Sequence, residues 1–300
     1  MYKFSIIEEK DLNKRLDIFV SEKLNISRSQ VKNYLSCILV NNNVKKLSYS
    51  LRLNDIVEIN IKTDDKRKED EDILAENIDL EILYEDEYLL VVNKPCNMSV
   101  HCSSSEKSGT LVNALLYHIK DFNFVGDKSR AGIIHRLDKD TSGIMIVGKN
   151  ADIVSAIQEQ FKNRTIKKIY HAIVVGVLRE NFYEINLPIG RHSVYRKKMT
   201  VREDGKKALS YIKVLNRFKK HTLIEVNIKT GRTHQIRVHC SYKGFPVAGD
   251  KIYSKSYSNY SNLMLIAKEI EFMHPISSEI MKFEVDYTDY FRDFLISDEI

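Results

Sequence analysis

His135-Arg136-Leu137-Asp138-Lys139-Asp140-Thr141-Ser142-Gly143 is a dense polar stretch between two apolar runs, Ile133-Ile134 before it and Ile144-Met145-Ile146-Val147 after it. The second run is short, continuous and rich in β-branched residues, as a buried strand is. The polar stretch is then a loop at a strand entrance, where rigid scaffolds commonly carry catalytic groups. A turn capped by Asp140, Thr141 and Ser142 accounts for the same residues without any chemistry. Both readings stand on these nine residues alone.

Outward from this loop, strands and helices mix without a strict βαβ rhythm. Leu80, Ile82 and Tyr84 alternate, a Glu85-Asp86-Glu87 turn follows, and residues 89–92 form another apolar run. Thr110 is placed to cap a helix carrying Leu111, Ala114, Leu115 and His118, and Ile153, Ile157 and Phe161 mark a helix after the 144–147 strand. Residues 170–177 and 223–228 read as further strands. The fold class expected is α+β, not a doubly wound parallel sheet.

Residues 1–61 read as a separate small α+β unit. Leu16, Phe19, Val20 and Leu24 share a helical face, Ser27 and Gln30 form a capping box, and Val31, Tyr34 and Leu35 continue the helical period. Val57, Ile59 and Ile61 alternate as in a half-buried strand. Residues 62–78 are expected to be a linker, because eleven ionic residues between 62 and 77 leave too little apolar surface to bury. Residues 79–300 are left as the large unit.

Composition narrows the function classes. No stretch approaches the roughly 20 apolar residues needed to cross a bilayer, and the first residues lack a signal-peptide core, so a cytoplasmic protein without a membrane partner is expected. Cys37, Cys96, Cys102 and Cys240 form neither CxxC nor a Cys/His tetrad, which points away from zinc and redox pairs. The net charge of +6 says little as a total. Its distribution says more: residues 162–168 hold four cations and no acid, and residues 191–207 hold seven cations against Glu203 and Asp204, with His192 and Tyr195 interleaved. Such clusters suit a surface that tracks phosphates.

Two more polar segments exceed what packing requires. Lys167-Lys168-Ile169-Tyr170-His171-Ala172 places cations and a tyrosine at a strand start, and on its own also fits an ordinary strand. Thr230-Gly231-Arg232-Thr233-His234-Gln235-Ile236-Arg237-Val238-His239 concentrates two arginines, two histidines and a glutamine, a set suited to an anion or a buried carboxylate. His234 and His239 are five apart, not at the i,i+4 spacing of a helical metal pair, so no metal is expected.

Together these segments resemble the RluA-type pseudouridine synthases, whose HRLDxxTSG hallmark is matched by residues 135–143. The resemblance continues through NKP (93–95), GTLVNALL (109–116), KKIYHAIVVG (167–176), TGRTHQIRVH (230–239), FPVAGDKIY (245–253) and MHPIS (273–277), in order. The N-terminal unit is similar to an S4 RNA-binding domain through RLDIFV, SRSQVKNYL and NDIVEI. One departure is Ile266, where relatives often carry histidine in Leu-His-Ala.

The resemblance implies a largely antiparallel mixed-sheet catalytic domain of the pseudouridine synthase type and an isomerase that needs no cofactor. Its expected partner is RNA, most of all large-subunit (23S) ribosomal RNA, with transfer RNA as the alternative, and the enzyme is expected to be a monomer. The reaction breaks the N1–C1′ bond of uridine, turns the uracil and rejoins it through C5. By resemblance Asp138 is the carboxylate at C1′, as nucleophile or as base toward C2′. Enclosure by a base opposes its charge, and Arg232 is the expected guanidinium beside it. Tyr170 is implied as the tyrosine that stacks under uracil and takes the C5 proton, with Ile236 as an apolar floor. Arg136 either fills the space left by the flipped base or meets a phosphate. Arg15, Arg28, Lys197 and Lys198 are expected to hold the RNA backbone. A base-removing glycosylase and a non-catalytic RNA-binding protein are the competing classes.

Overall fold

Leu89-Leu90-Val91-Val92 and Ile144-Met145-Ile146-Val147 are apolar at every position because both faces of their strands are covered. Leu89, Val91, Ile144 and Ile146 face one core; Leu90, Val92, Met145 and Val147 face the other. Alternate side chains of a strand point to opposite faces, so two-sided burial erases the polar positions that an exposed strand would show.

The computed structural model describes residues 2–24, 31–60, 73–103, 106–119, 131–195, 197–255 and 260–297. The chain divides into two units, 1–72 and 73–300.

In the first unit the helix α1 (Leu16–Leu24) packs Leu16, Phe19 and Val20 on a sheet made of β1 (Tyr2–Ser5), β2 (Ile38–Val40), β3 (Asn43–Val44) and β4 (Ile56–Ile59), in the order β1-β4-β2-β3. Residues Lys32–Cys37 form a 3-10 helix. Buried Asp55 accepts from Asn41 Nδ2, Tyr49 Oη and the Arg52 N–H at 2.8, 3.0 and 2.8 Å, which fixes the turn into β4. Arg15 is exposed, but its guanidinium is held bidentately by Asp17 at 3.0 and 3.1 Å. Arg28, the Ser27–Gln30 capping box and Ile61 lie outside the described residues.

The expected linker is too long at its C-terminal end. Ile73 and Ile78 pack on the second unit's core, Asn113 Nδ2 donates to the Leu74 carbonyl at 2.8 Å, and the Gly109 N–H donates to Glu76 at 3.0 Å. Residues 73–78 therefore belong to the large unit, because the helix that follows supplies polar partners for their backbone.

Among the described residues, the large unit is built on a sheet of nine strands. They are β5 (Glu81–Glu85), β6 (Leu89–Lys94), β7 (Ser142–Gly148), β8 (Lys167–Val175), β9 (Phe182–Asn186), β12 (Leu209–Arg217), β13 (His221–Ile228), β14 (Leu265–Met273) and β15 (Ile280–Glu284). Their order is β5-β6-β7-β14-β8-β13-β12-β9, with β15 on β14; a hairpin of β10 (Ile189–Arg191) and β11 (Met199–Val201) stands apart. All of these pairs are antiparallel except β7 with β14, so the fold is the mixed, largely antiparallel α+β expected.

Helix α2 (Leu111–His118) begins at Thr110 with a full capping box to Asn113 and covers one face with Leu111, Val112 and Leu115. The helices α3 (Ala151–Asn163), α4 (Gln235–Tyr242) and α5 (Asp289–Ser297) contribute Ile153 and Ile157, Ile236 and Cys240, and Phe291 to the other core.

Candidate active site

Asp138 sits on a loop that is tied down on both sides. Its carbonyl accepts from the Thr141 N–H at 3.1 Å. Lys94, at the end of β6, is fully buried, and its Nζ donates to the carbonyls of Pro95, Met98 and Lys139 at 2.7, 2.9 and 3.2 Å. Three N–H donors meet three carbonyls, so this ammonium is satisfied inside the protein although burial pulls its pKa down to about 8. The bond to Lys139 fixes the backbone one residue past Asp138.

Gly143, the second residue of β7, has φ +119°, and a Cβ there would lie 2.3 Å from the Ala267 carbonyl oxygen. Only glycine lets β7 approach β14, with Ser142 opposite Ile266 and Gly143 opposite Ala267. The side chain of Ile266 is buried in the core, while its neighbour Leu265 lines the pocket beside Asp138.

The 230–239 segment is a loop followed by the start of α4. Gln235 Oε1 accepts from the Thr230 hydroxyl and the Arg232 N–H at 2.7 and 3.1 Å, and its Nε2 donates to the Leu209 carbonyl and the Ser210 hydroxyl, each at 3.0 Å. His234 precedes the helix in the left-handed region, φ +57°. This turn aims Arg237 inward. Its Nη1 donates to Asp138 Oδ2 at 3.0 Å, and its Nε and Nη2 donate to the two oxygens of Asp250 at 2.7 and 2.9 Å. Asp250 is fully buried and also accepts from the N–H groups of Ile252 and Tyr253. Burial opposes the charge on Arg237, but the bond to Asp250 and the charges of both carboxylates outweigh it and raise its pKa.

The guanidinium beside Asp138 is therefore Arg237, and the expected pairing with Arg232 is corrected. Arg232 lies in the loop before the helix; it lines the same pocket, but its Nε donates to the Lys207 carbonyl at 3.0 Å. Arg237 is inside the first turn of α4 and faces the core.

Tyr170, on β8, lines the pocket with Asp138, Arg136 and Ile236. Burial, and then the Asp138 charge, raise the pKa of its phenol well above the usual tyrosine range, so it is protonated at neutral pH. Ile236 is buried and Arg136 is exposed at the rim.

His234 Nε2 lies 3.8 Å from Asp138 Oδ2, too far for a hydrogen bond, and its Nδ1 is 2.9 Å from Tyr253 Oη. The Met199 N–H donates to that hydroxyl at 2.8 Å, which leaves the phenolic proton for Nδ1 and the His234 proton on Nε2, toward Asp138. Burial holds the His234 pKa below its ordinary value. Lys197 is exposed; Lys198 Nζ sits 5.4 Å from the centre of the Tyr253 ring. His239 is buried away from Asp138, between Ser210 and the Leu187 carbonyl. Among the described residues no group of His, Cys, Asp and Glu is arranged to hold a metal ion.

A carboxylate fixed by an arginine and open to a pocket with a tyrosine and an isoleucine suits attack or proton removal at a sugar carbon beside a planar base. Residues 88–242 match the family described as RNA pseudouridylate synthase. An uncharacterised RNA pseudouridine synthase of Aquifex aeolicus is 42% identical over 293 residues, 93% of this chain and 92% of its own. Ribosomal large subunit pseudouridine synthase D of Pseudomonas aeruginosa is 43% identical over 225 residues, 70% of this chain and 69% of its own. The solved structure of human RNA pseudouridylate synthase domain containing 1 aligns with a TM-score of 0.60 and 27% identity over 71% of this chain and 85% of that one. The chain belongs to the RNA pseudouridylate synthase family, and the enzyme is an isomerase.

Proposed function

We propose that this enzyme converts specific uridines of large-subunit ribosomal RNA to pseudouridine in the cytoplasm, acting as a monomer with Asp138 as the reacting carboxylate. The observation that carries the reading is Arg237 Nη1 on Asp138 at 3.0 Å, with Asp250 holding the rest of the guanidinium. The choice of RNA leans on the relative of Pseudomonas aeruginosa named for the large ribosomal subunit.

In this reading the N1–C1′ bond breaks, the freed uracil turns, and C5 bonds to C1′. The C5 proton then leaves and N1 gains one. Asp138 acts at the sugar, either at C1′ directly or on the C2′ proton. Arg237 gives that carboxylate a fixed counter-charge and orientation while the base excludes water. Tyr170 supplies a stacking face for uracil. Its firmly held phenolic proton weighs against a resting phenolate that would take the C5 proton. Arg136, at the rim, enters the space left by the flipped nucleotide or meets its phosphate. The first unit serves as an S4-like RNA-binding domain, through Arg15 and Arg28, and Lys197 and Lys198 hold backbone beside the pocket.

Carbodiimide mapping of total RNA from cells with and without the gene tests the assignment. Loss of one or a few signals in large-subunit ribosomal RNA is expected. Signals lost only from transfer RNA would replace the proposed substrate, and no lost signal would remove it.

A further inference from the structure

Beside the catalytic pocket runs a groove of about 410 Å³ that shares Arg136, Tyr170 and Arg232 with it. Its outer walls carry Lys162 and Arg164 from the end of α3, Lys168 from β8, and Lys229 just past β13. Among the described residues no carboxylate lines it. Among the described residues Lys162 pairs with Glu159 at 3.4 Å, whereas Arg136, Arg164, Lys168, Lys229 and Arg232 have no acidic partner. Three cations elsewhere in this unit are matched: Lys149 with Glu85, Lys167 with Glu269, Lys268 with Glu284.

Lys168 shows what the mismatch costs. Its ammonium lies 5.2 Å from the centre of the Phe161 ring, partly buried, and burial together with the charge of Lys229 pulls its pKa down to about 8. Like charges gathered this way disfavour one another unless an anion joins them.

Arg232 is the hinge of the arrangement. It lines the catalytic pocket, this groove, and a second groove of about 400 Å³ on the side of the β10–β11 hairpin. The bond from its Nε to the Lys207 carbonyl fixes its plane, and its terminal nitrogens make no hydrogen bond among the described residues. A planar fork of free donors beside a base pocket suits a phosphodiester.

We propose that the groove between α3 and the end of β13 carries the backbone of one RNA strand, with Lys168 and Lys229 on successive phosphates and Arg232 on the phosphate beside the nucleotide in the pocket. The inference rests on the synthase reading for the identity of the polymer. Its continuity with the base pocket favours a strand over a free phosphate.

The test uses a fluorescent 12-nucleotide oligouridine, whose binding requires no isomerisation, titrated against the full chain at several salt concentrations. Lys168→Met with Lys229→Ala is expected to flatten the log–log salt slope by about 1.4, and Arg232→Ala alone by about 0.7. Lys282→Ala removes the same charge from a cation paired with Glu269 and should leave the slope unchanged. Single 4-thiouridines in the oligonucleotide should cross-link to peptides spanning 162–168 and 229–232. An unaltered slope in the double and the Arg232 variants, or cross-links only elsewhere, overturns the proposal. So does uridine 5′-monophosphate competing as well as the oligonucleotide at equal phosphate. If Lys168→Met does not fold, Lys229→Ala and Arg232→Ala carry the measurement. A failed synthase reading is seen separately in the RNA mapping, whatever the slopes.

Discussion

Arg237 and Asp138 meet at 3.0 Å through one nitrogen of the guanidinium, and Asp250 occupies the other edge. Arg237 is thus a buried cation shared by two carboxylates, one fully enclosed and one facing the pocket. Removing it leaves both acids without a counter-charge. Arg237→Ala is expected to cost roughly 3–5 kcal/mol of stability. Arg237→Lys should recover part of the stability but little activity, because an ammonium cannot serve both carboxylates with a planar fork. Urea denaturation and single-turnover rates measure the two effects. Full activity in the lysine variant would show that geometry at this position does not matter.

Asp138→Asn should fold and bind RNA while forming no pseudouridine, since an amide is neither a base nor a competent nucleophile. Tritium release from C5-labelled uridine RNA reads this directly. Release equal to that of the parent would take Asp138 out of the mechanism.

Tyr170→Phe and Tyr170→Ala separate stacking from proton transfer. Phenylalanine keeps the aromatic face, whereas alanine loses a contact of about 1–3 kcal/mol. Breakage of the N1–C1′ bond should continue in the phenylalanine variant and fall steeply in the alanine variant. If phenylalanine lowers RNA affinity as much as alanine does, the ring is not the stacking platform.

His135 gives the enzyme an acid sensitivity of definite sign. Its Nε2 accepts from the Ile146 N–H at 3.0 Å, and burial, with Lys168 nearby, lowers its pKa to about 3. The folded state therefore favours neutral imidazole, while the unfolded chain takes up a proton near pH 6.5. The stability from His135 is whole above that pH. Between pH 6.5 and 3 it is lost at up to about 1.4 kcal/mol per unit. His171, lowered to about 4 mainly by burial, adds a similar slope over a narrower range. Urea midpoints between pH 7 and 5 should fall less for His135→Gln than for the parent. Equal slopes in the two proteins would mean that His135 is already charged in the fold.

Removing residues 1–72 should leave a folded catalytic unit with weaker RNA binding and a flatter salt dependence. The same cut at residue 78 should be less stable, because it also removes Ile73, Ile78 and the Leu74 carbonyl that Asn113 holds. Thermal melts of the two truncations decide the boundary; identical melting curves would place it after 78.

The Asp138 loop was legible because its residues are unusual for their place: a polar run squeezed between strands has few purely structural explanations. The Thr110 cap and the α3 face were legible because their signals are local. The 230–239 segment suits a buried carboxylate, but the resemblance puts the guanidinium on Arg232, and nothing local marks where the loop ends and the helix begins. The two arginines differ only in which side of that helix start they occupy. Asp250 could have been found from its setting in Phe245-Pro246-Val247-Ala248-Gly249-Asp250, since an acid after an apolar run calls for a buried cation. Strand β1 was invisible because Tyr2–Ser5 is mostly exposed and gains its order from pairing with β4. Register between distant segments, such as β14 beside β7, is a tertiary property that no local pattern carries.

The place of β14 also constrains how the enzyme is made. It lies between β7 and β8, which precede it by about a hundred residues, and Leu265 completes the pocket wall. Until residues 265–273 leave the ribosome, two long apolar strands present open edges, the kind of surface that recruits other chains. Nascent chains arrested before that point should draw chaperones and aggregate when released. Activity should appear only once residues 265–273 have emerged and paired.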